Sequence, residues 1–234
     1  MAAALVVEEF PFVAGYSDAL LAQRAGVERV LARLGDAQSH VRGELLLGEH
    51  TPVYTLGRHG DEHNMHLSSE ALERLGIELV RTNRGGDITY HGPGQLVGYP
   101  ILHLPSFGLG ARAYIARLEA VIIATLQYFG IDGMVDPDAA GVWLAPDGQR
   151  GLRKICAIGV HIGQGVSMHG FALNVSTDLA YFSRINPCGF TDRGVTSLSQ
   201  ELGAVVGVGA VADVFRDRFE EYFGCQLVVG REAR

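Results

Sequence analysis

The stretch Arg84–Leu102, RGGDITYHGPGQLVGYPIL, constrains the fold more than any other segment. Gly85, Gly86, Gly92 and Gly94 alternate there with titratable Arg84, Asp87, Tyr90 and His91, and an apolar, strand-like run follows. Paired glycines reach φ > 0 and let backbone approach a ligand without a Cβ clash. A polar, glycine-rich loop between two strands is a good place to build a site. Two consecutive turns would account for the same residues. Lys154–Gly159 and Asn186–Phe190 add chemistry that turns alone do not need.

The motif is not a dinucleotide fingerprint, because the G-x-G-x-x-G order is missing. It is not a phosphate-binding Walker loop, because no Gly-Lys-Ser/Thr occurs. No G-x-S-x-G elbow supports a serine hydrolase. His59, Asp61, His63 and His66 share one polar loop, but their spacing matches no metal motif and no metal is expected.

The rest of the chain reads as mixed α and β. Strands are expected at Leu5–Phe10, Glu44–Glu49, Pro52–Leu56, Ile77–Arg81 and Gln95–Leu104, with Pro100 marking an edge or a bulge. A helix runs from Ser17 or Asp18 to Leu34 with Leu20, Leu21, Val27, Val30, Leu31 and Leu34 inward. A short one runs from Ser68 or Ser69 to Leu75, and the strongest runs from Gly110 to Phe129. Further strands fall at Ile131–Val135, Gly141–Ala145, Lys154–Ile162, Ser167–Val175 and Cys225–Val229, and helices at Val195–Leu202 and Val211–Phe223. There is no strict βαβ alternation, repeat or linker. The expectation is one α+β domain over residues 1–234, with a mixed, mostly antiparallel sheet flanked by helices.

A net charge of -7 argues against a general nucleic-acid binder. No apolar run approaches the roughly 20 residues a bilayer crossing needs, so no membrane partner is expected. The N-terminus MAAALVVEEF lacks a basic n-region. Three cysteines, at 156, 188 and 225, suit a reducing compartment, and a cytoplasmic location follows as the expectation.

Of the 19 basic residues, Lys154 is the sole lysine. A lysine amine can lose its proton when its surroundings favour that, whereas arginine stays charged. Cys188 lies in N-P-C-G-F, where Pro187 stiffens the approach and Gly189 leaves an N–H accessible, which suits a nucleophilic thiol. Cys156 competes: it lies two residues from Lys154, and on a regular strand both side chains share a face. A nearby ammonium favours a thiolate in either case. Cys225, in an apolar strand, reads as buried and inert.

Together Arg84–Pro100, Lys154-Ile-Cys-Ala-Ile-Gly, His169-Gly-Phe-Ala-Leu-Asn-Val and Asn186-Pro-Cys-Gly resemble the lipoyl(octanoyl) transferase family, in the family's order and across nearly the whole chain. The resemblance implies the fold of biotin/lipoate protein ligase catalytic domains. It implies transfer of an octanoyl group from octanoyl-acyl carrier protein to a lysine of lipoyl domains, those of 2-oxoacid dehydrogenase E2 subunits and of the glycine-cleavage H protein. It implies a Cys188 thioester assisted by Lys154, with no cofactor. It puts an acyl pocket at Arg84, Gly85, Gly86, Asp87, Ile88, Thr89, Tyr90 and His91, at Ala157, Ile158 and Gly159, and at Gly170, Phe171 and Ala172. The alternative is an ATP-dependent lipoate or biotin protein ligase, which needs no thiol nucleophile. Arg150 and Arg153, beside Lys154, and Arg184 and Arg193, flanking Cys188, are expected to rim a docking surface.

Overall fold

The computed structural model describes residues 4–186 and 193–229. In chain order its strands and helices are β1 (Ala4–Ala14), α1 (Tyr16–Leu34), β2 (Val41–His50), β3 (Val53–Leu56), α2 (Ser69–Leu75), β4 (Glu78–Arg81), β5 (Ile88–His91) and β6 (Gln95–Leu102). Then come α3 (Ala111–Tyr128), β7 (Met134–Asp136), β8 (Ala139–Leu144), β9 (Arg153–Gly163), β10 (Val166–Asn174), β11 (Gly194–Val195), α4 (Leu198–Leu202), α5 (Val208–Phe223) and β12 (Cys225–Val229).

The strands form two sheets rather than the one expected. The large sheet runs β12-β1-β2-β6-β10-β9-β8-β7, with β11 beside β9; the small one runs β4-β3-β5. Pairing is mixed but mostly antiparallel, with β1 parallel to both its neighbours. Part of the glycine motif, Ile88–His91, is itself a strand of the small sheet. The motif therefore ties the two sheets together.

Period-2 alternation sorts side chains onto the faces of the large sheet. Leu45, Leu47, Leu96, Phe171 and Leu173 face α3 and α5, where Leu118, Val121, Ile122, Phe215 and Phe219 are buried. Leu46, Val97, Tyr99 and Ile101 face the other way, toward α1. That helix sits differently from the expectation. Its buried positions are Tyr16, Ala19, Gln23, Gly26 and Val30, while Leu21 is exposed. Small residues win because the helix lies close to the sheet: a Cβ on Gly26 would come 2.7 Å from Ile101 Cδ1.

Pro100 also departs from the expectation. It stands in β6, a central strand between β2 and β10. The irregularity that accommodates it lies in the facing strand. The β6–β10 register ends at Gly98–Phe171. Beyond it the Ser167 hydroxyl donates to Pro100 O at 2.7 Å and accepts from Leu102 N at 2.9 Å. The intervening His169 takes a φ of +59°.

Candidate functional site

A cavity of about 410 Å³ lies on the α1 face of the large sheet, closed over by the glycine motif. Its apolar wall comes from small residues on two adjacent strands, Ala157 and Gly159 of β9 and Gly170 and Ala172 of β10. The spacing is close. Gly85 N donates to Val160 O at 3.0 Å, and a Cβ on Gly159 would stand 2.7 Å from Gly85 O. Glycine is needed at Gly159 because the loop backbone lies directly on the strand.

The cavity gathers Arg84, Gly85, Gly86, Asp87, Ile88, Thr89, His91, Lys154, Ala157, Ile158, Gly159, Gly170, Phe171 and Ala172, residues drawn from three separate motifs. Tyr90 is not among them. It points to the other side of β5, where its ring stacks on Tyr181 at 4.4 Å and packs against Tyr54 and Phe182. Strand alternation sends Tyr90 into the small sheet's own core and leaves Thr89 and His91 on the cavity side.

Lys154 reaches the cavity through a defect in β9. Along the β8 edge Val142 pairs with Cys156 and Trp143 with Lys154, so Ile155 is an extra residue. Such a bulge re-aims the side chains on either side of it. Ile155 and Cys156 both enter the core against α3, and Cys156 is 0% exposed. Lys154 turns the other way, with its Nζ 4.5 Å from the centre of the Trp143 ring. The expectation that Lys154 and Cys156 share a face is therefore corrected. Burial also pushes the Cys156 thiol far above its usual range, so it cannot be a ready nucleophile. Cys188 lies outside the described residues.

The polar end of the cavity was largely missed by sequence reasoning. His91 Nδ1 lies 2.9 Å from Gln95 Oε1, while Gln95 Nε2 donates to Tyr90 O and Asn174 Oδ1. Gln95 Oε1 is therefore an acceptor, and the His91 proton sits on Nδ1. The Nε2 lone pair then faces the Thr55 hydroxyl at 3.3 Å, whose oxygen accepts from Arg84 Nε and Nη2. Asn174 Nδ2 continues the chain to Thr196 O, and Thr196 N donates to Lys154 O. One hydrogen-bond relay thus runs from Arg84 to the strand that carries Lys154.

A second polar group joins it. Tyr99 OH donates to His50 Nε2 at 2.5 Å, and His50 Nδ1 donates to Ala14 O at 3.0 Å. His169 Nε2 stands 2.7 Å from Asn83 Oδ1. Its strained backbone N–H is taken by Gln23 Oε1 at 2.9 Å. Burial lowers the pKa of all three histidines, His169 to about 3, and keeps them neutral. Burial pushes the Tyr16 phenol up to about 12. The one available signal for Gln95, Tyr99 and Asn174 was single polar-tipped residues standing in otherwise apolar strands.

Other titratable groups are structural. Asp87 turns its carboxylate away to the 57–66 loop, accepting from Asp61 N at 3.1 Å and Asn64 Nδ2 at 2.6 Å. Arg153 is buried and paired with Glu201 at 2.8 Å, and Arg150 with Asp147 and Glu201. Arg193 pairs with Asp136 at 2.6 Å. Arg184 lies over the Tyr181 ring. These arginines are ion-paired or stacked within the fold, and the Arg150 side chain is 41% exposed. Among the described residues no three His, Cys, Asp or Glu side chains are grouped to hold a metal, and no helix is long and apolar enough to cross a membrane.

Comparisons bear on this arrangement. Residues 22–220 match the model of the lipoyl protein ligase A/B catalytic domain. An octanoyltransferase of Porphyromonas gingivalis is 52% identical over 189 residues, 81% of this chain; the match spans only 38% of that longer protein. An octanoyltransferase of Parabacteroides distasonis is 46% identical over 89% of this chain and 94% of its own length. Among solved structures, the bi-partite lipoate protein ligase of Thermoplasma acidophilum aligns over 99% of this chain and 89% of its own, with a TM-score of 0.67 at 16% identity. Lipoate-protein ligase A bound with ATP aligns over 99% of this chain and 91% of its own, with a TM-score of 0.66 at 14% identity. At such identities the last two speak for a shared fold alone.

Proposed function

Because this chain belongs to the family of lipoyl protein ligase A/B catalytic domains, we propose that it is an octanoyltransferase of protein lipoylation, acting as a single catalytic domain. The observation that carries the reading is the chain's one lysine, set beside a cavity one wall of which is glycine and alanine. A saturated acyl chain gains from such a wall, and its thioester end would lie toward Lys154. The donor is octanoyl-acyl carrier protein. The acceptors are lipoyl domains of 2-oxoacid dehydrogenase E2 subunits and the glycine-cleavage H protein, met in the cytoplasm.

The transfer runs in two steps. The Cys188 thiolate attacks the carbonyl of the octanoyl thioester, the bond to the carrier's sulfur breaks, and the carrier's thiol leaves with the proton that the Lys154 ammonium gives up. The acceptor lysine's amine then attacks the Cys188 thioester, an amide forms, and the Cys188 thiolate leaves. Lys154 favours the thiolate in the first step and takes the amine's proton in the second. A thioester is already activated, so neither step needs a nucleotide. Arg84, Asp87 and His91 order the pocket: their hydrogen bonds are directed at Thr55, the 57–66 loop and Gln95.

Incubation with octanoyl-carrier and no nucleotide tests the reading. A mass increase of about 126 Da on the Cys188 peptide, chased onto a lipoyl domain and lost in Cys188→Ser, is the expected result. A strict ATP requirement for transfer would make the chain a ligase instead.

A further inference from the structure

The chain has one tryptophan and one lysine, and the fold stacks them. Trp143 is 2% exposed, and its indole N–H donates to Ala139 O at 3.1 Å, which fixes the ring plane. Lys154 is its register partner across β8 and β9, next to the bulge at Ile155. The Lys154 Nζ stands 4.5 Å from the ring centre, inside the roughly 6 Å over which a ring face attracts a cation.

The same ring carries a second cation. Arg193 Cζ lies 5.3 Å from its centre. Two cations on one ring would repel each other, but Arg193 is compensated, at 2.6 Å by Asp136 and at 3.7 Å by Asp138. Both carboxylates come from the β7–β8 hairpin, and Asp138 also lines the cavity. Glu119 of α3 instead accepts from Gly141 N.

We propose that Trp143 is a positioning residue: its ring face holds the Lys154 side chain at the cavity and favours the ammonium over the neutral amine. This rests on the transferase reading of the site for its consequence in catalysis, but not for the contact itself. The attraction depends on charge. When Lys154 gives up its proton, the attraction of the ring is lost. On this account a bulge, a fixed indole and a balanced arginine act together to aim one amine.

A single lysine makes the idea directly measurable. Acetic anhydride at pH 8 modifies only neutral amines, and mass spectrometry of the Lys154 peptide separates this from the chain's α-amine. In Trp143→Leu, Lys154 modification is expected to quicken about threefold, while Trp143→Phe, which keeps a ring and loses the N–H, stays close to the unsubstituted chain. Octanoyl transfer by Trp143→Leu should lose about tenfold in kcat with little change in KM for the carrier, and Trp143→Phe should recover most of it. Thermal unfolding of both variants checks that they fold. Equal modification rates in all three proteins, or a loss of kcat that Phe fails to rescue, would overturn the proposal. Absence of any transfer by the unsubstituted protein, with the difference in modification rates intact, would overturn the transferase reading and leave the Trp143 contact standing.

Discussion

Lys154 and Cys156 lie two residues apart on one strand and face opposite sides of it, because Ile155 is an extra residue in β9. The chain's lysine is thereby separated from its nearest cysteine. Alkylation with iodoacetamide at pH 8 should modify neither Cys156 nor Cys225 until denaturant is added, since burial raises both thiols, Cys225 to about 12. Cys156→Ala should keep transfer within about twofold and lose about 1 kcal/mol of stability. Alkylation of native Cys156 would contradict the bulge.

The close contact of loop and strand predicts what two methyl groups would do. A Cβ at Gly159 presses on Gly85 O, so Gly159→Ala should push the glycine loop off β9 and slow acylation by about tenfold. A Cβ at Gly170 would collide with Gly98 O and approach Pro100 Cδ to 2.8 Å. Gly170→Ala should therefore cost about 2 kcal/mol in urea unfolding. Unchanged acylation in the first variant or an unchanged midpoint in the second would refute the packing described.

The buried histidines make stability depend on acid. Each has a folded pKa below its unfolded value of about 6.5. Below that value the unfolded chain binds protons that the folded one refuses. Stability is therefore full above about pH 6.5 and is lost as pH falls, by about 1.4 kcal/mol per unit for each such group. His169 keeps contributing down to about pH 3. Urea midpoints between pH 7.5 and 4.5 should fall steadily. His169→Asn, which tolerates the left-handed backbone, should flatten the slope by one proton's worth. An identical slope would remove His169 from this account.

Asp87 lines the cavity yet serves the loop beside it. In Asp87→Ala, hydrogen exchange at residues 61–64 should speed up, and KM for the acyl donor should rise severalfold with the unfolding midpoint almost unchanged. A large drop in the midpoint would instead make Asp87 a core stabiliser.

Arg153, next to Lys154, predicts a stability effect. Arg153 and Glu201 side chains are 9% and 5% exposed. Arg153→Ala should cost about 3 kcal/mol, because Glu201 loses its closest cation. A variant of full stability with a raised KM for the carrier would give Arg153 the docking role instead.

The sequence carried the pocket further than it carried the strands. Motif residues at 84–89, 91, 157–159 and 170–172 meet in one cavity because each motif mixes small residues with backbone that must come close. Tyr90 was misplaced because a loop reading has no faces, whereas a strand has two. The Ile155 bulge escaped detection because one extra residue changes no composition and breaks a period only after pairing is known. Pro100 misled for a related reason: the partner that holds the strand around it is Ser167, whose hydroxyl, 67 positions away in the chain, donates to Pro100 O and accepts from Leu102 N. The ion pairs of Arg150 and Arg153 with Glu201 likewise span about 50 residues, beyond the reach of local charge patterns.

With one tryptophan beside one lysine, the indole fluorescence of this chain has a single origin, next to the cavity. Loss of the Lys154 ammonium changes the field at that ring while Arg193 stays over it, and the emission changes with it. Mixing the protein with an acyl donor in a stopped-flow instrument would therefore follow Lys154 in real time, without a dye, a label or a coupled assay.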